Sequence, residues 1–295
     1  MPKLSIITVN LNNKSGFIDT AESVIAQTWT DYEWIIIDGG STDGSVDVIK
    51  NYVDKTDRLV YWCSEPDGGI YQGMNKGIEK ASGEYCWFLN SGDYAYKNTA
   101  LAEIFADEFD EDIVYGNEIC KFDRKKYLHE YILWDTSKYK VRSPFFWAIC
   151  GNTIPHAASL INLALLKKIG GYSTKYRIIS DRVFFMKSIL ELKARVKFVP
   201  IIMSFYDTSG ISAKNISNNN IENTLFFKSL FPKTSAVILI AVFIFNIPSN
   251  TFAFLSVRIF NFVRKIKCFA KREKYLPNNK HFGRKSLTFK ELERL

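Results

Sequence analysis

Two short segments of the chain carry oxygen-bearing side chains at spacings that could do chemistry. Residues 38–45 read DGGSTDGS, and residues 90–93 read NSGD. Glycines let a backbone approach a ligand closely, and the Asp38 carboxylate can accept hydrogen bonds from a base or a ribose. Oxygens spaced i, i+3 on a turn, as in the second segment, can hold a hard divalent cation that in turn holds a diphosphate. Taken singly, each segment also fits an ordinary turn of Gly, Asn, Asp and Ser.

The elements that must position these segments alternate between strands and helices. Continuous apolar runs predict strands, and apolar residues at helical spacing predict the helices between them. Such strands indicate a parallel sheet covered on both faces, in a doubly wound α/β domain. Both polar segments follow strand ends at the edge where such sheets bind ligands, which favours a site over two unrelated turns. The predicted strands are Leu4–Val9, Trp34–Ile37, Leu59–Cys63 and Tyr85–Leu89, and the predicted helices are Phe17–Thr28, Val46–Val53 and Ile70–Ala81.

The pattern changes after residue 98. Residues 113–150 are rich in aromatic and charged side chains without a helical period, whereas Asp181–Leu192 predicts a helix and Val196–Met203 a strand. We interpret this region as a second wall of the same domain. The polar run NISNNN predicts a boundary near residue 215. The predicted parts are therefore 1–98, 99–214 and a tail at 215–295.

The tail has an apolar segment followed by a basic one. Lys233 and Arg258 bracket 24 uncharged residues, which Asn-Ile-Pro-Ser-Asn interrupts at 246–250. A spanning helix needs about 20 mostly apolar residues, but the interruption disfavours one continuous span, and a single crossing would place the basic residues on the far side. We therefore expect helices that dip into one leaflet, with the basic residues on anionic headgroups. A pair of buried core helices is the alternative.

The net charge of +8 is concentrated in this tail. Residues 258–295 hold twelve Lys/Arg and three Asp/Glu, a local net of +9, which leaves 27 basic and 28 acidic residues in 1–257, a net of −1. Nucleic-acid binding is disfavoured because the basic residues do not spread over the folded body. Five scattered cysteines without a CxxC pair suit buried thiols in a reducing cytosol. The first residues show no signal-peptide pattern, so we expect a cytoplasmic body.

Several motifs, taken in order, resemble family 2 glycosyltransferases with the GT-A fold. The segments are SIITVNLNN, IIIDGGSTDGS and EPDGGIYQGMNKGIEKASGEYCWFLNSGD, then His156 and KKIGGYSTKYRIISDRVFF. The resemblance covers about residues 3–205 and is strongest to bacterial exopolysaccharide and O-antigen enzymes of the colanic-acid type. Each piece alone is weak, but the ordered set is specific. It implies a Rossmann-like, mostly parallel sheet flanked by helices, with a nucleotide-sugar-binding half (1–98), an acceptor-binding half (99–214) and a helical membrane-associating tail.

The resemblance also implies roles for individual residues. Asp181 would be the catalytic base, and Asp93 would bind a divalent cation, Mg²⁺ or Mn²⁺. A divalent cation neutralises the charge that develops on a diphosphate leaving group, and a carboxylate can take the proton of an attacking hydroxyl. From spacing alone, a helix cap or first-turn acid is the preferred role of Asp181, and a structural role is the usual one for a lone histidine such as His156; the resemblance favours the base for Asp181. The residues expected around the donor are Thr8, Asn10, Asp38, Asp67, Asn75, Ser91 and His156, with His156 near the acceptor or the diphosphate.

The chain departs from the family pattern at two positions. The family commonly has two or three carboxylates in its metal motif, whereas Asn90, Ser91 and Gly92 precede Asp93 here. One carboxylate with diphosphate oxygens can still hold Mg²⁺. Gln72 stands where related sequences often place an acid, which leaves a neutral side chain near the donor.

Together these inferences predict an inverting, metal-dependent glycosyltransferase. It would transfer a sugar from a UDP- or GDP-sugar to a lipid-linked saccharide during surface polysaccharide synthesis, without nucleic acid as a partner. We expect it at the cytoplasmic face of the bacterial inner membrane, held peripherally or monotopically. The alternatives are a nucleotidyltransferase, which would release pyrophosphate, and a catalytically degenerate glycosyltransferase that acts as a scaffold.

Overall fold

The computed structural model describes residues 1–124, 127–134, 154–208, 210, 221–223, 225–226, 229 and 284–287. The chain forms two compact units. The first unit comprises Met1–Lys140, Thr153–Lys214 and Gly283–Leu295, and it contains every strand and helix named below. The second unit comprises Val141–Asn152 and Asn215–Phe282, and its described residues 221–223 are helical.

The first half of the sheet is parallel. Strands β1 (Leu4–Asn10), β2 (Tyr32–Asp38), β3 (Leu59–Ser64) and β4 (Tyr85–Phe88) lie in the order β3-β2-β1-β4. Every residue of β1, β2 and β4 is buried, as continuous apolar runs require when both faces are covered. The strands alternate with helices α1 (Lys14–Ile25), α2 (Ser45–Val53) and α3 (Ile70–Lys80). The seven predicted elements of this half are confirmed, with ends that differ by a few residues.

The second half makes the sheet mixed. Its elements are β5 (Tyr94–Ala95), α4 (Ala100–Ile104), β6 (Ile113–Arg124), β7 (Tyr127–Trp134), a 3-10 turn (His156–Ala158), β8 (Ser159–Asn162), α5 (Leu163–Ile169), α6 (Ser180–Leu190) and β9 (Val196–Asp207). Strand β8 lies antiparallel between β4 and β6, β7 pairs antiparallel with β6, and β9 runs parallel to β6 and pairs with β5. The predicted helix and strand of this half correspond to α6 and β9, whereas β6 and β7 lie in the aromatic region for which we predicted no element.

The core under the first half is built on aromatic residues. The ring of Trp34 on β2 stacks on Phe17 of α1 at 6.3 Å, and Tyr52 of α2 meets both rings edge-on at 6.0 Å. All three side chains are buried. Burial of a large apolar side chain stabilises the fold by roughly 1.5–3 kcal/mol. This cluster therefore fixes α1 and α2 against the sheet and holds the loops at the carboxyl edge in place.

The tail contains a strand as well as the expected apolar segment. Residues Arg284–Leu287 form β10, which pairs antiparallel with β7. For these residues the prediction of a helical tail is wrong, because the edge of β7 offers backbone hydrogen bonds that no local pattern reveals. The uncharged segment 234–257 lies outside the described residues. In the part of the chain that the structure describes, no helix is long and apolar enough to cross a membrane.

Candidate functional site

Asp38, at the carboxyl end of β2, organises the loop that follows it. The side chain is fully buried, and its two oxygens accept five hydrogen bonds from described residues. Burial raises the pKa of Asp38, but hydrogen bonds from Ser41, Ser64 and Asn10 outweigh it and hold the pKa below its ordinary value. A carboxylate offers about four lone-pair sites, so this one is saturated within the protein. Its predicted contact with a base or ribose stays a prediction.

Asn10 and Thr8 lie on β1 beside this loop. The Asn10 amide nitrogen donates to Asp38 Oδ1 at 2.7 Å and to Ser41 Oγ at 3.1 Å. These two acceptors fix the orientation of the amide, and Asn10 Oδ1 is buried without a hydrogen-bond partner among the described residues. Thr8 Oγ1 accepts a hydrogen bond from the Trp34 indole at 3.0 Å. Asn10 therefore has an unused acceptor at the strand end, whereas the Thr8 hydroxyl is engaged in the core.

Asp67 lies in the loop between β3 and α3. Its Oδ1 accepts a hydrogen bond from the Gly69 amide at 2.8 Å. Its Oδ2 lies 3.3 Å from the point where a Cβ on Gly39 would stand and 3.2 Å from the corresponding point on Gly73. The two glycines thus allow the carboxylate to sit between the loop after β2 and helix α3. Gln72 is exposed, and its Oε1 accepts a hydrogen bond from the Gly68 amide at 2.7 Å.

The turn at residues 90–93 is held by Thr20 of α1. The Thr20 hydroxyl approaches the Asp93 carbonyl at 2.7 Å and the Asn90 carbonyl at 3.2 Å, and it accepts from the Gly92 amide at 3.0 Å. The Ser91 carbonyl accepts from Asn13 Nδ2 at 2.9 Å. The turn is therefore positioned mainly through its backbone, with a longer contact of 3.4 Å from Asn13 Nδ2 to Ser91 Oγ.

Asp93 is buried beside two further carboxylates. Burial raises its pKa well above the ordinary value; hydrogen bonds from the backbone amides of Asp207 and Asn90 oppose this, and the charges of Glu118 and Asp207 add to it. The Asp207 amide donates to Asp93 Oδ1 at 2.9 Å. Three carboxyl groups, one from the turn and two from neighbouring strands, therefore act on one another here, and their repulsion favours the protonated form of Asp93.

Asp207, at the end of β9, occupies the space beside Gly92. Gly92 has a φ of +104°, and a Cβ there would stand 2.8 Å from Asp207 Oδ2. The carboxylate absent from position 92 is thus replaced in space by one that comes from β9. Sequence reasoning missed Asp207 because the predicted strand ended at Met203; extending it to the next acid would have found it.

A hard cation fits this donor set in part. The oxygens come from Asp93, Asp207 and Asn90, whose Oδ1 is buried without a hydrogen-bond partner among the described residues. Carboxylate and amide oxygens are the ligands that Mg²⁺ and similar cations take. Within the described ranges, no three His, Cys, Asp or Glu side chains are grouped to hold a metal by themselves. A cation here would need further oxygens from a bound diphosphate.

Asp181 lies in the first turn of α6, directly against Tyr71 of α3. Its Oδ1 is 3.0 Å from the Tyr71 hydroxyl and accepts from the Arg182 amide at 2.8 Å. Tyr71 is buried, and burial together with the charge of Asp181 raises the pKa of Tyr71 well above its ordinary value. The phenol therefore stays protonated, with its hydroxyl beside the predicted base.

Asn75 and His156 lie on either side of Tyr172. Asn75 Nδ2 donates to the Tyr172 carbonyl at 2.8 Å, and Asn75 Oδ1 accepts from the Tyr172 amide at 2.8 Å. His156 Nε2 shares a hydrogen bond of 2.8 Å with the Tyr172 hydroxyl. Burial lowers the pKa of His156, an effect that the charge of Asp181 partly opposes. Asn75 thus joins the two halves of the domain, whereas the hydrogen bond of His156 lies within the second half, and the predicted donor contacts of both side chains stay predictions.

The charges of the predicted cation residue and of the predicted base both act on one side chain, Tyr206 of β9. Burial raises the pKa of Tyr206, and the negative charges of Asp93, Glu118 and Asp181 raise it further. The two acidic positions, which come from different halves of the chain, thus act on the same residue of β9. Glu118, on β6, was not predicted, because its region showed no recognisable element.

The family is decided by comparison with known sequences. The family model described as "Glycosyl transferase family 2" matches residues 5–170. The chain belongs to this family. An uncharacterized glycosyltransferase of Mycobacterium tuberculosis is 31% identical over 224 residues, which are 72% of this chain and 78% of that protein. A PGL/p-HBAD biosynthesis glycosyltransferase of Mycobacterium bovis is 26% identical over 212 residues, 71% of this chain and 78% of that protein.

Solved structures share the fold. Staphylococcus aureus TarS 1-349, crystallised with UDP-GlcNAc, superposes with a TM-score of 0.55 at 17% identity, over 77% of this chain and 66% of that one. The mannosyltransferase PcManGT from Pyrobaculum calidifontis, in complex with GDP-Man and Mn²⁺, gives 0.58 at 15% identity, over 83% and 70%. The predicted GT-A fold and family are therefore confirmed, and the chain is a family 2 glycosyltransferase.

Proposed function

We propose that the protein transfers a sugar from a nucleoside-diphosphate sugar to a saccharide acceptor with inversion, and that Asp181 is the base. The observation that carries the proposal is the position of two acids beside β9: Asp93 Oδ1 accepts from the Asp207 amide of that strand at 2.9 Å, and the charges of Asp93 and Asp181 both act on its Tyr206. An inverting transfer needs a base on one side of the anomeric carbon and a stabilised diphosphate on the other. Asp181 can act as the base, and Asp93 can help to hold the cation that stabilises the diphosphate.

Different residues of the chain would bind the donor and remove the proton of the acceptor. Asp181 takes the proton of the acceptor hydroxyl while the hydroxyl oxygen bonds to the anomeric carbon and the diphosphate departs with the bonding pair. The loops after β2 and β3, which Asp38 and Asp67 hold in place, receive the nucleoside beside Asn10, whose Oδ1 has no hydrogen-bond partner among the described residues. His156, whose pKa burial lowers, stays neutral and can donate or accept a hydrogen bond near the acceptor.

A divalent cation would be held by Asp93 with Asp207 and Asn90. Bound Mg²⁺ or Mn²⁺ would neutralise negative charge on the leaving diphosphate. PcManGT, which shares the fold, was crystallised with Mn²⁺, and the oxygen-rich turn described above supports the same requirement here. Because no third acidic or histidine ligand groups with Asp93 and Asp207 in the described ranges, we expect weak cation binding without donor.

We further propose that the acceptor is a lipid-linked saccharide and that the enzyme works at the cytoplasmic face of the bacterial inner membrane. The uncharged segment 234–257 followed by a region of net charge +9 supports this location, because basic residues beside an apolar segment favour anionic lipid. A relative is named for PGL/p-HBAD biosynthesis, which is compatible with a surface glycan as the product. The donor would carry uridine or guanosine, as in the ligands of TarS and PcManGT.

Donor and cation binding test this proposal first. We expect one UDP- or GDP-sugar from a panel to raise the melting temperature when Mn²⁺ is present and little without it, because the ligand binds only the folded state. Asp93→Asn should abolish the part of this rise in melting temperature that depends on Mn²⁺. Asp181→Asn should show the same rise as the wild type but lower the rate of sugar transfer by about 10²- to 10⁴-fold, the usual contribution of a general base.

The exposed Asp19→Asn variant on α1 controls for the loss of a carboxylate elsewhere. Wild-type transfer by the Asp181 variant would overturn the assignment of the base. Donor binding without transfer to any acceptor would instead favour a degenerate enzyme that acts as a scaffold.

A further inference from the structure

The Tyr71 hydroxyl faces two acceptors at once. Its oxygen lies 2.7 Å from the Ile178 carbonyl and 3.0 Å from Asp181 Oδ1. The side chain is only 7% exposed, so water does not compete freely for these contacts. A phenol has a single proton to donate. It can therefore serve one of the two acceptors fully at any moment.

The charge of Asp181 decides which acceptor receives the proton. An ionised carboxylate is the stronger acceptor, because charge-assisted hydrogen bonds are roughly twice as strong as neutral ones. Once the carboxyl has gained a proton, the Ile178 carbonyl becomes the better partner, and it is also the nearer one. The Tyr71 hydroxyl thus has two arrangements, one for each protonation state of its neighbour.

Both hydrogen bonds that Asp181 accepts from described residues, from Tyr71 and from the Arg182 amide, fall on Oδ1. The second oxygen, Oδ2, accepts no hydrogen bond from the residues that the structure describes. The ring of Tyr71 is itself fixed, because it contacts the Tyr172 ring at 5.7 Å and α3 is tied to the Tyr172 backbone through Asn75. The hydroxyl is therefore held in place by the fold and not by the carboxylate it faces.

We propose that Tyr71 is the positioning residue of the catalytic base: it holds Oδ1 of ionised Asp181 so that Oδ2 faces the acceptor hydroxyl, and it turns its proton to the Ile178 carbonyl after proton transfer. This inference rests on the proposed role of Asp181. In the step itself the acceptor O–H bond breaks, a bond from the proton to Oδ2 forms, and the hydroxyl electron pair enters the new bond to carbon. Tyr71 loses no proton.

Other ionisable groups also act on this carboxylate. The groups coupled to Asp181 through their charges are Glu118 on β6, His156 in the 3-10 turn, Tyr172 before α6 and Tyr206 on β9, and Arg182 follows it on α6. All of them remain when only the Tyr71 hydroxyl is altered. A change in the pH profile of such a variant therefore reports on this hydroxyl.

The test is the pH dependence of sugar transfer by Tyr71→Phe and by Tyr71→3-fluorotyrosine. Phenylalanine removes a donor from the ionised carboxylate, so we expect kcat to fall about tenfold and the acid limb of the kcat/KM profile to move up by about one pH unit. Fluorine makes the phenol a stronger donor at nearly constant volume, so the acid limb should move down. Stabilisation by donor and Mn²⁺ should stay at the wild-type level in both.

Tyr85→Phe is the matched control, since it removes another buried phenol that donates to a backbone carbonyl, that of Glu111 at 2.9 Å. It should leave the acid limb unmoved. In the Asp181→Asn background, Tyr71→Phe should cause no further loss, because Tyr71 acts through Asp181.

The outcomes separate the two proposals. If Asp181→Asn abolishes transfer while neither Tyr71 variant moves the acid limb, the positioning role is wrong and the proposed function stands. If Asp181→Asn transfers normally, the base itself is wrong. Should Tyr71→Phe fold poorly, the fluorotyrosine variant, which keeps the hydroxyl, decides the question.

Discussion

At the residue scale, both the backbone conformation at position 171 and the closeness of Asn75 favour glycine there. Its φ is +75°, and a Cβ there would stand 2.4 Å from Asn75 Oδ1. That oxygen cannot move aside cheaply, because it accepts from the Tyr172 amide while Asn75 Nδ2 holds the Tyr172 carbonyl. The glycine thus allows Asn75 of α3 to hydrogen-bond the backbone of the turn that leads to α6 and Asp181.

We therefore expect Gly171→Ala to lower the free energy of unfolding by at least about 2 kcal/mol, from backbone strain plus the clash with Asn75. Gly170→Ala is the matched control, since Gly170 has a φ of +85° but nothing within 4 Å of its added Cβ. Strain alone should cost that variant about 1 kcal/mol. Urea unfolding measures both, and equal losses would mean that the contact with Asn75 contributes nothing.

Sequence alone can nominate such residues but cannot assign their partners. The acids at strand ends were found from turn chemistry and the family resemblance. The pairing of Asn75 with Tyr172 joins residues 97 positions apart, and the five donors on Asp38 come from three different segments. Such contacts depend on tertiary packing, so they became visible only in the folded chain.

At the scale of elements, the strands with continuous apolar runs were predictable and β6 was not. Strand β6 carries Asn117 and Glu118 in its buried middle, which breaks the apolar run that identifies a core strand. Glu118 pairs in register with Ser204 of β9, and its Oε1 accepts from the Cys120 thiol at 3.8 Å. Two adjoining strands thus bury polar groups at the same level, next to the candidate site.

This burial predicts a pH-dependent stability. Desolvation raises the pKa of Glu118 to about 7, with the Cys120 thiol opposing and the charge of Asp181 adding to the effect. The folded-state pKa of Glu118 lies above its unfolded value. Its contribution to the free energy of unfolding is therefore complete below about pH 4.5 and is lost as the pH rises through about 7. At pH 8 the ionised group should cost about 3 kcal/mol relative to the protonated one.

Glu118→Gln should therefore be more stable than the wild type at pH 8 and similar to it near pH 4.5. Urea unfolding with EDTA at the two pH values measures the difference, and the exposed Glu79→Gln variant on α3 controls for the loss of a surface charge. A stability difference that is the same at both pH values would contradict the burial argument.

At the scale of the whole molecule, the charge is divided between a nearly neutral body and a tail of net +9. We expect the full chain to sediment with membranes and deletion of residues 234–257 to release it into the soluble fraction after a high-salt wash, because each basic residue contributes only about 1 kcal/mol near an anionic surface and salt screens it. Cell fractionation at low and high salt is the measurement. Full-length protein that is already soluble at low salt would refute membrane attachment.

Strand β10 determines how such a deletion should be made. Because Arg284–Leu287 pair along β7, cutting the chain at the predicted boundary near residue 215 would remove a sheet partner together with the apolar segment. The N–H and C=O groups of β7 would then form an open edge, which recruits strands from other molecules and promotes aggregation. Insolubility of a shortened chain would mimic membrane association. An internal deletion that keeps β10 distinguishes membrane association from aggregation, since it leaves the edge of the sheet covered.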